Sequence, residues 1–273
     1  MRPLLSKTET WLLAACAGLL ALAVLGPALA QAADHHAFAD RRVLWGIPFA
    51  MDVLSNLPFA LAGLAGAWTL QRLPAGALGG AQRTMAALFF TGLLLTAAGS
   101  AWYHWRPDDA GLAIDRCGMA VAFAGLLGLA AAGRISERAG DWLGGGVLLA
   151  APAAVGVWMY TGNVLPWAVV QFGGVALLLA FALMRPRADA LPIRWGLVLL
   201  AYAAAKLLEL NDHAVYELTD HRVAGHALKH AVAALAAWPV LAAVGALRKP
   251  RQNPAGAEGR SNTSTGRRQA GHA

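Results

Sequence analysis

The sequence predicts an all-α fold: a polytopic membrane bundle of seven transmembrane helices, preceded by either a signal peptide or one extra helix. Three observations lead there. Hydrophobic residues make up 58% of the 273 positions and charged residues 14%. The apolar residues come in runs about twenty long, and a run of that length crosses a bilayer as a helix rising about 1.5 Å per residue. The links between the runs are short, which leaves no room for a second folded domain.

The eight runs can be taken in chain order. The first, 11–30, follows Arg2 and Lys7 and ends in Pro27-Ala28-Leu29-Ala30 before Gln31. That is the grammar of a signal peptide with an Ala-x-Ala cleavage site, yet the run is long enough to stay as a helix, so 1–30 keeps both readings. The second, 47–70, carries Asp52 and Asn56 near its start. The third, 84–104, closes on Ser100 and His104, and the fourth, 113–132, opens on Asp115. Only Thr161-Gly162-Asn163 separates the fifth, 143–161, from the sixth, 164–184. The seventh, 192–210, holds Lys206 and Glu209, and the last, 223–247, opens on His226 and His230. Residues 31–249 thus form the seven-helix domain. From Pro250 the chain loses its apolar period and turns to Arg, Gly, Ser and Thr, so 250–273 reads as a disordered basic cytoplasmic tail.

Charge orients the bundle. With the N-terminus inside, the inside segments hold 15 of the 22 Lys and Arg. Positive charge near helix ends resists translocation, so the C-terminus is expected in the cytoplasm of a cell bounded by this, the inner, membrane. The net charge of +7 is therefore a topology signal, and no nucleic-acid partner is implied. The sequon Asn262-Thr263-Ser264 falls on the cytoplasmic side and carries no meaning there. Cys16 and Cys117 lie within apolar runs and are expected as buried free thiols. Gly63, Gly66 and Gly144-Gly145-Gly146 are expected at close helix contacts rather than in phosphate loops.

Because helix direction alternates, each polar residue's depth follows from its place in its run. Seven of the eight histidines, at 35, 36, 104, 213, 221, 226 and 230, fall at or near the outer face. Asp52, Asn56, Ser100, Asp115 and Glu209 fall at a similar depth. Ionisable groups inside spanning segments are costly and face a cavity or one another. Residues i and i+4 share a helix face, so His226 and His230 can hold one ion, and Ser100 lies one turn below His104.

A catalytic zinc takes three protein ligands and keeps a fourth position open. His104, His226 and His230 are the candidate zinc ligands. Such a metal lowers the pKa of a bound water to about 7 and polarises a carbonyl oxygen. Asp115 is the candidate general base that takes the water's proton and passes it to the leaving group, and Ser100 the candidate donor to an oxyanion or the group that orients Asp115. Plainer roles exist for each. Asp115 suits a first-turn acid on the helix dipole, and Ser100 a serine bonding its own i−4 carbonyl.

At these residues the chain resembles the alkaline ceramidase family, within the wider superfamily of seven-helix membrane hydrolases that includes adiponectin-receptor-type proteins. The resemblance lies in Gly99-Ser100-Ala101-Trp102-Tyr103-His104, in Asp115 eleven residues on, and in Gly225-His226-Ala227-Leu228-Lys229-His230. Asp52 to Asn56 also resembles the family's Asn-x2-Ser-Asn element. The similarity spans about 50–247. It implies a zinc-dependent amidase that cleaves the N-acyl bond of ceramide-like lipids, acting on a membrane lipid with its site toward the outer face. It implies no particular protein partner.

The match has gaps. Eukaryotic members carry acidic and amide residues that bind calcium, and Asp52 is the candidate calcium ligand here. Phe49, however, stands where a glutamate is expected, and the loop with Asp34 and Asp40 has another pattern, so calcium is doubtful on sequence. The stretch from Lys206 to Asp220 also departs from the family. Two other function classes fit the same residues: a receptor-like or regulatory protein with a structural zinc, and a transporter with a histidine–carboxylate relay. A closed four-ligand site favours the first; ionisable groups spread across both levels favour the second.

Overall fold

The computed structural model describes residues 5–248, and the expected tail 250–273 lies outside the described residues. The chain is a bundle of helices: α1 (Lys7–Leu25), α2 (Ala50–Leu54), α3 (Leu57–Gln71), α4 (Gly80–Trp105), α5 (Asp109–Arg134), α6 (Glu137–Thr161), α7 (Leu165–Ala168), α8 (Gly174–Leu183), α9 (Trp195–Leu210), α10 (Asp212–Leu218), α11 (Gly225–Ala234) and α12 (Trp238–Ala246). Several run on as single spans. Short α2 leads into α3, a π-turn at Val169–Gly173 joins α7 to α8, and a 3₁₀ turn at Leu235–Ala237 joins α11 to α12. Among the described residues no strand occurs, and seven of these stretches are long and apolar enough to cross a membrane. The bundle is a multi-pass membrane fold. Its large exposed residues, such as Leu25, Leu149 and Leu183, lie on helix surfaces, where lipid rather than water is the matching solvent.

Side chains set the helix ends, and they move some expected boundaries. Asp108 accepts from Gly111 N at 2.7 Å and starts α5 at Asp109, four residues before the expected 113. Asp115 is therefore beyond the first turn, and the first-turn acid is Asp109. Ser136 accepts from Ala139 N at 3.0 Å and starts α6 at Glu137 rather than 143. The 3₁₀ turn precedes Pro239, whose ring nitrogen has nothing to donate to the Leu235 carbonyl one turn back. The expected span 192–210 is the 16-residue α9, about 24 Å long, which is shorter than any of the seven and is not one of them; α1 is.

Close approach of backbones holds the bundle together. A Cβ on Gly92 would lie 2.1 Å from Ala122 N, and one on Gly125 2.2 Å from Phe89 N, so α4 and α5 meet through glycine. Gly63 and Gly66 meet Leu94 and Phe90, and Gly144 meets Met85, as expected; Gly145 and Gly146 face open space instead. Cys16 and Cys117 are both free, but Cys117 is exposed on α5 rather than buried, on a bundle surface where lipid is the matching solvent.

Helix α1 is docked onto the bundle at both ends. Buried Glu9 accepts from Arg138 Nη2 at 2.8 Å and Ser136 Oγ at 2.7 Å, and Leu12 lies in the main core. Beyond the helix, Leu29 N donates to Asn163 Oδ1 at 2.9 Å, and Val164 N donates to the Leu29 carbonyl at 2.8 Å. The following loop turns back over the bundle. There Arg42 grips Asp40 with Nε at 2.8 Å and Nη2 at 2.6 Å. Burial pulls the Asp40 carboxyl upward, and the Arg42 bonds outweigh it, holding it below the ordinary carboxylate value.

Candidate metal centre

Two helices bring the three histidines to one point. His104 closes α4, while His226 and His230 sit one turn apart at the start of α11. All three are buried, and one ring nitrogen from each lies within 4.8 Å of the others. His104 Nε2 and His226 Nε2 face each other at 3.3 Å. Two ligands held about 2.05 Å from a tetrahedral zinc stand about 3.4 Å apart, so this pair already has the required separation. Among the described residues it is the only group of three or more His, Cys, Asp or Glu that converges in this way.

The surroundings orient the rings. Ser55 Oγ donates to the Asp52 carbonyl at 2.9 Å, so its oxygen accepts from His230 Nδ1 at 2.8 Å. That arrangement places the proton on Nδ1 and leaves the Nε2 lone pair facing the triad, as a second-layer partner does for a metal-binding imidazole. His226 Nε2 is likewise an acceptor, taking a hydrogen bond from Lys229 Nζ at 3.0 Å. Buried Asp212 fixes the helix below: Oδ1 accepts from His226 N at 2.7 Å and Oδ2 from Ala39 N at 3.0 Å. It therefore caps α11 from another helix and ties down the outer loop. Phe38 of that loop packs its ring 4.6 Å from both His104 and His226, sealing one side of the triad.

The other predicted residues divide. Ser100 is buried with Oγ 3.4 Å from His230 Nε2, so it neither bonds its own i−4 carbonyl nor reaches Asp115. Asp115 is buried on α5 with Oδ1 lacking any partner, and it lines the same cavity as Ser100, His226 and His230. Gly99 makes that alignment possible. A Cβ there would lie 3.0 Å from the Ile114 carbonyl and 3.2 Å from Asp115 Cα. The Asp52 carboxylate is not one of the triad's converging ligands. It is fully buried with neither carboxylate oxygen partnered, and it belongs to no converging ligand group among the described residues.

The cavity has a volume of about 810 Å³. Its mouth lies among Asp34, His35 and His213, and its far end among Phe89, Phe123 and Leu126. From Ser100 down to Phe89 is about 16 Å along α4 at 1.5 Å per residue, about half the hydrocarbon thickness. The cavity is therefore polar beside the triad and apolar below it, the profile of a pocket for an amphiphile.

Sequence reasoning did not single out Ser55, Phe38 or the Lys229 contact. The chain matches no protein-family model, no curated protein and no solved structure. What the residues show is a buried three-histidine site fit to bind a metal ion within a membrane bundle.

Proposed function

We propose that this chain is a zinc-dependent integral-membrane hydrolase that cleaves the N-acyl amide bond of ceramide-like lipids, as its resemblance to alkaline ceramidases implies. One observation carries the reading. Among the described residues the triad presents three ligand nitrogens and no fourth, and two of its members, His226 and His230, line a cavity together with a buried carboxylate, Asp115, lacking a partner on Oδ1. A structural zinc site is closed by four ligands, whereas a catalytic one keeps a position for water or substrate. When bound, the metal supplies Lewis acidity toward the acyl carbonyl and acidifies water.

The chain's own groups do the rest. Phe89, Phe123 and Leu126 hold the acyl chain in the apolar arm, which brings the amide level with Ser100 and Asp115. Asp115 takes the proton of the attacking water on its free carboxylate oxygen and returns it to the amine nitrogen as the C–N bond breaks. Ser100 Oγ donates to the carbonyl oxygen as charge develops there. Phe38 keeps bulk water from the triad. The orientation expected from the basic residues opens the cavity toward the outer leaflet.

The test begins with elemental analysis of detergent-purified protein. About one zinc per chain in wild type, lost in His230→Ala, supports the site. Asp115→Asn should then keep its zinc while release of fatty acid from ceramide-like amides falls by about 10²–10⁴. Metal-free wild type purified without chelator refutes the hydrolase reading, and so does an Asp115→Asn protein that hydrolyses normally.

A further inference from the structure

Below the triad the cavity wall carries three neutral polar groups that take no part in that chemistry. Thr96 on α4, Gln171 on the π-turn and Tyr202 on α9 line it from three separate spans. Thr96 Oγ1 and Tyr202 Oη are both buried, and among the described residues neither has a hydrogen-bond partner. Gln171 is the polar side chain beside Tyr202, outside hydrogen-bonding geometry. A helical threonine in lipid can satisfy itself on its own i−4 carbonyl. Thr69 and Thr161 do so, donating to the Ala65 carbonyl at 2.7 Å and the Val157 carbonyl at 2.6 Å. Thr96 does not.

These groups form one layer. Thr96 is one turn, about 6 Å, deeper than Ser100 on α4. A Cβ on Gly225 would lie 2.4 Å from the Leu208 carbonyl, which sets α9 against α11 at that level. Counted inward from there at about 1.5 Å per residue, Tyr202 is about 9 Å deep and His230 about 7.5 Å. Ser100 Oγ in turn lies 3.4 Å from His230 Nε2. Helical side chains lean toward the N-terminus, which for α4 and α9 is the deep end, so both hydroxyls hang just beneath the triad. Gln171 comes from the one π-turn among the described residues, a local widening of the kind that recurs at functional sites.

Plain hydrocarbon in this layer would seal two hydroxyls against methylene groups with their hydrogen bonds unmade, which is costly. A hydroxyl on the chain removes that cost, because it accepts from one wall hydroxyl and donates to the other. Its position follows from depth. With the amide level with Ser100, C–C bonds of about 1.52 Å advance an extended chain about 1.25 Å each. The β-carbon, with a hydrogen bond of about 2.8 Å beyond it, then reaches the Thr96 level. We infer that the substrates are N-acyl amides whose acyl chain carries a hydroxyl on its β-carbon, with Thr96 and Tyr202 recognising that hydroxyl. This inference rests on the hydrolase reading for its scissile bond. The reaction balances: water adds to the acyl carbon, the C–N bond breaks, and the products are a β-hydroxy fatty acid carboxylate and a protonated amine. Thr96 and Tyr202 are here specificity residues, and Gln171 positions the Tyr202 hydroxyl.

Two amides with one head group test it, N-(3-hydroxypalmitoyl)ethanolamine and N-palmitoylethanolamine. Their binding to full-length, detergent-purified protein is read by tryptophan fluorescence in an Asp115→Asn background, where turnover is suppressed. The hydroxylated amide should bind about tenfold more tightly, the scale of two neutral hydrogen bonds. Thr96→Val and Tyr202→Phe should each cut the preference to about threefold, and the pair should bring it close to unity. Thr96→Ser should keep it, which separates a lost hydroxyl from lost folding. Equal binding of the two amides, or a preference that survives the double substitution, overturns the inference. Ceramides with and without the base's own 3-hydroxyl are measured alongside. A Thr96→Val effect confined to that hydroxyl puts the amine-side chain in the arm and overturns the inference as well. Fatty acid release by the unsubstituted protein is scored separately. Preference without release supports the polar layer and counts against the hydrolase reading, and release at equal efficiency from both amides does the reverse.

Discussion

Ser55→Ala tests whether the triad is tuned for metal or is merely a buried polar cluster. Ser55 touches no ligand nitrogen on the triad side. It accepts from His230 Nδ1 at 2.8 Å and donates to the Asp52 carbonyl at 2.9 Å. Alanine at 55 removes the acceptor at 2.8 Å and leaves the buried Nδ1–H only the Asp52 carbonyl, which is less well placed, a loss of up to about 1–3 kcal/mol. The imidazole can avoid that cost by moving its proton to Nε2 or by rotating, and either response spoils the lone pair a metal needs. The expected loss of metal affinity is therefore about 10–100-fold, the range seen for second-layer partners, and about 1.4–2.8 kcal/mol in binding free energy. The two figures come from different reasoning and agree. Zinc affinity is measured by competition with a chromophoric chelator on detergent-purified wild type, Ser55→Ala and Ser100→Ala. Ser100 lies 3.4 Å from Nε2, a weak contact, so its removal should cost less than that of Ser55. At fixed zinc the metal-dependent gain in thermal stability should shrink in the same order. A Ser55→Ala affinity within twofold of wild type refutes the argument that this hydrogen bond sets the tautomer.

Other perturbations probe the scaffold. Gly99→Val drives a branched side chain against the Ile114 carbonyl, 3.0 Å from the Cβ position, and should destabilise the protein by about 1–3 kcal/mol; Gly99→Ala should be far milder, and equal melting temperatures for the two would disprove the close-approach argument. Glu209→Gln removes the anion that pairs with Lys229 at 3.1 Å and so strengthens that ammonium's field 3.0 Å from His226 Nε2; zinc affinity should fall, and unchanged affinity would refute the electrostatic coupling. Asp40, held below its ordinary pKa by Arg42, contributes stability that is fully present above the unfolded value near 3.9 and is lost as pH falls through the lower folded value; melting curves from pH 6 to 3 should therefore drop more steeply for wild type than for Asp40→Asn. Intact-mass analysis should find α1 retained, because cleavage after Ala30 would strip Glu9 from Arg138, Leu12 from the core and Leu29 from Val164. A mature N-terminus at Gln31 would contradict this.

Much of the site was legible because membrane helices convert sequence position into depth. His226 and His230 share a face at i and i+4 whatever the rest of the fold does, and alternation of direction brings His104 to their level. Local sequence also marks the boundaries that were misplaced. Asp108 and Ser136 precede their helices as N-caps, and they pull α5 and α6 outward beyond the apolar run that hydropathy detects. The break between α2 and α3 comes before Pro58, which sits in the first turn of α3 and has no N–H to give the Leu54 carbonyl.

What stayed hidden depends on contacts between segments far apart in sequence. Phe38 lies in a loop with no period, and its place over His104 and His226 follows from Asp212 accepting Ala39 N, a bond across 173 residues. Depth puts Ser55 near His230 but does not say which side of the imidazole it meets. Lys229 shows the limit most clearly. Its i+3 spacing puts it beside His226 on one helix, where a cation next to a metal ligand looks like an error. Only the packing of α9 against α11 supplies Glu209, and with it Lys206, which turns an isolated liability into a charged wall of the cavity. Period and spacing can therefore place a ligand set, while the groups that orient it and choose what it acts on come from other helices and need the fold.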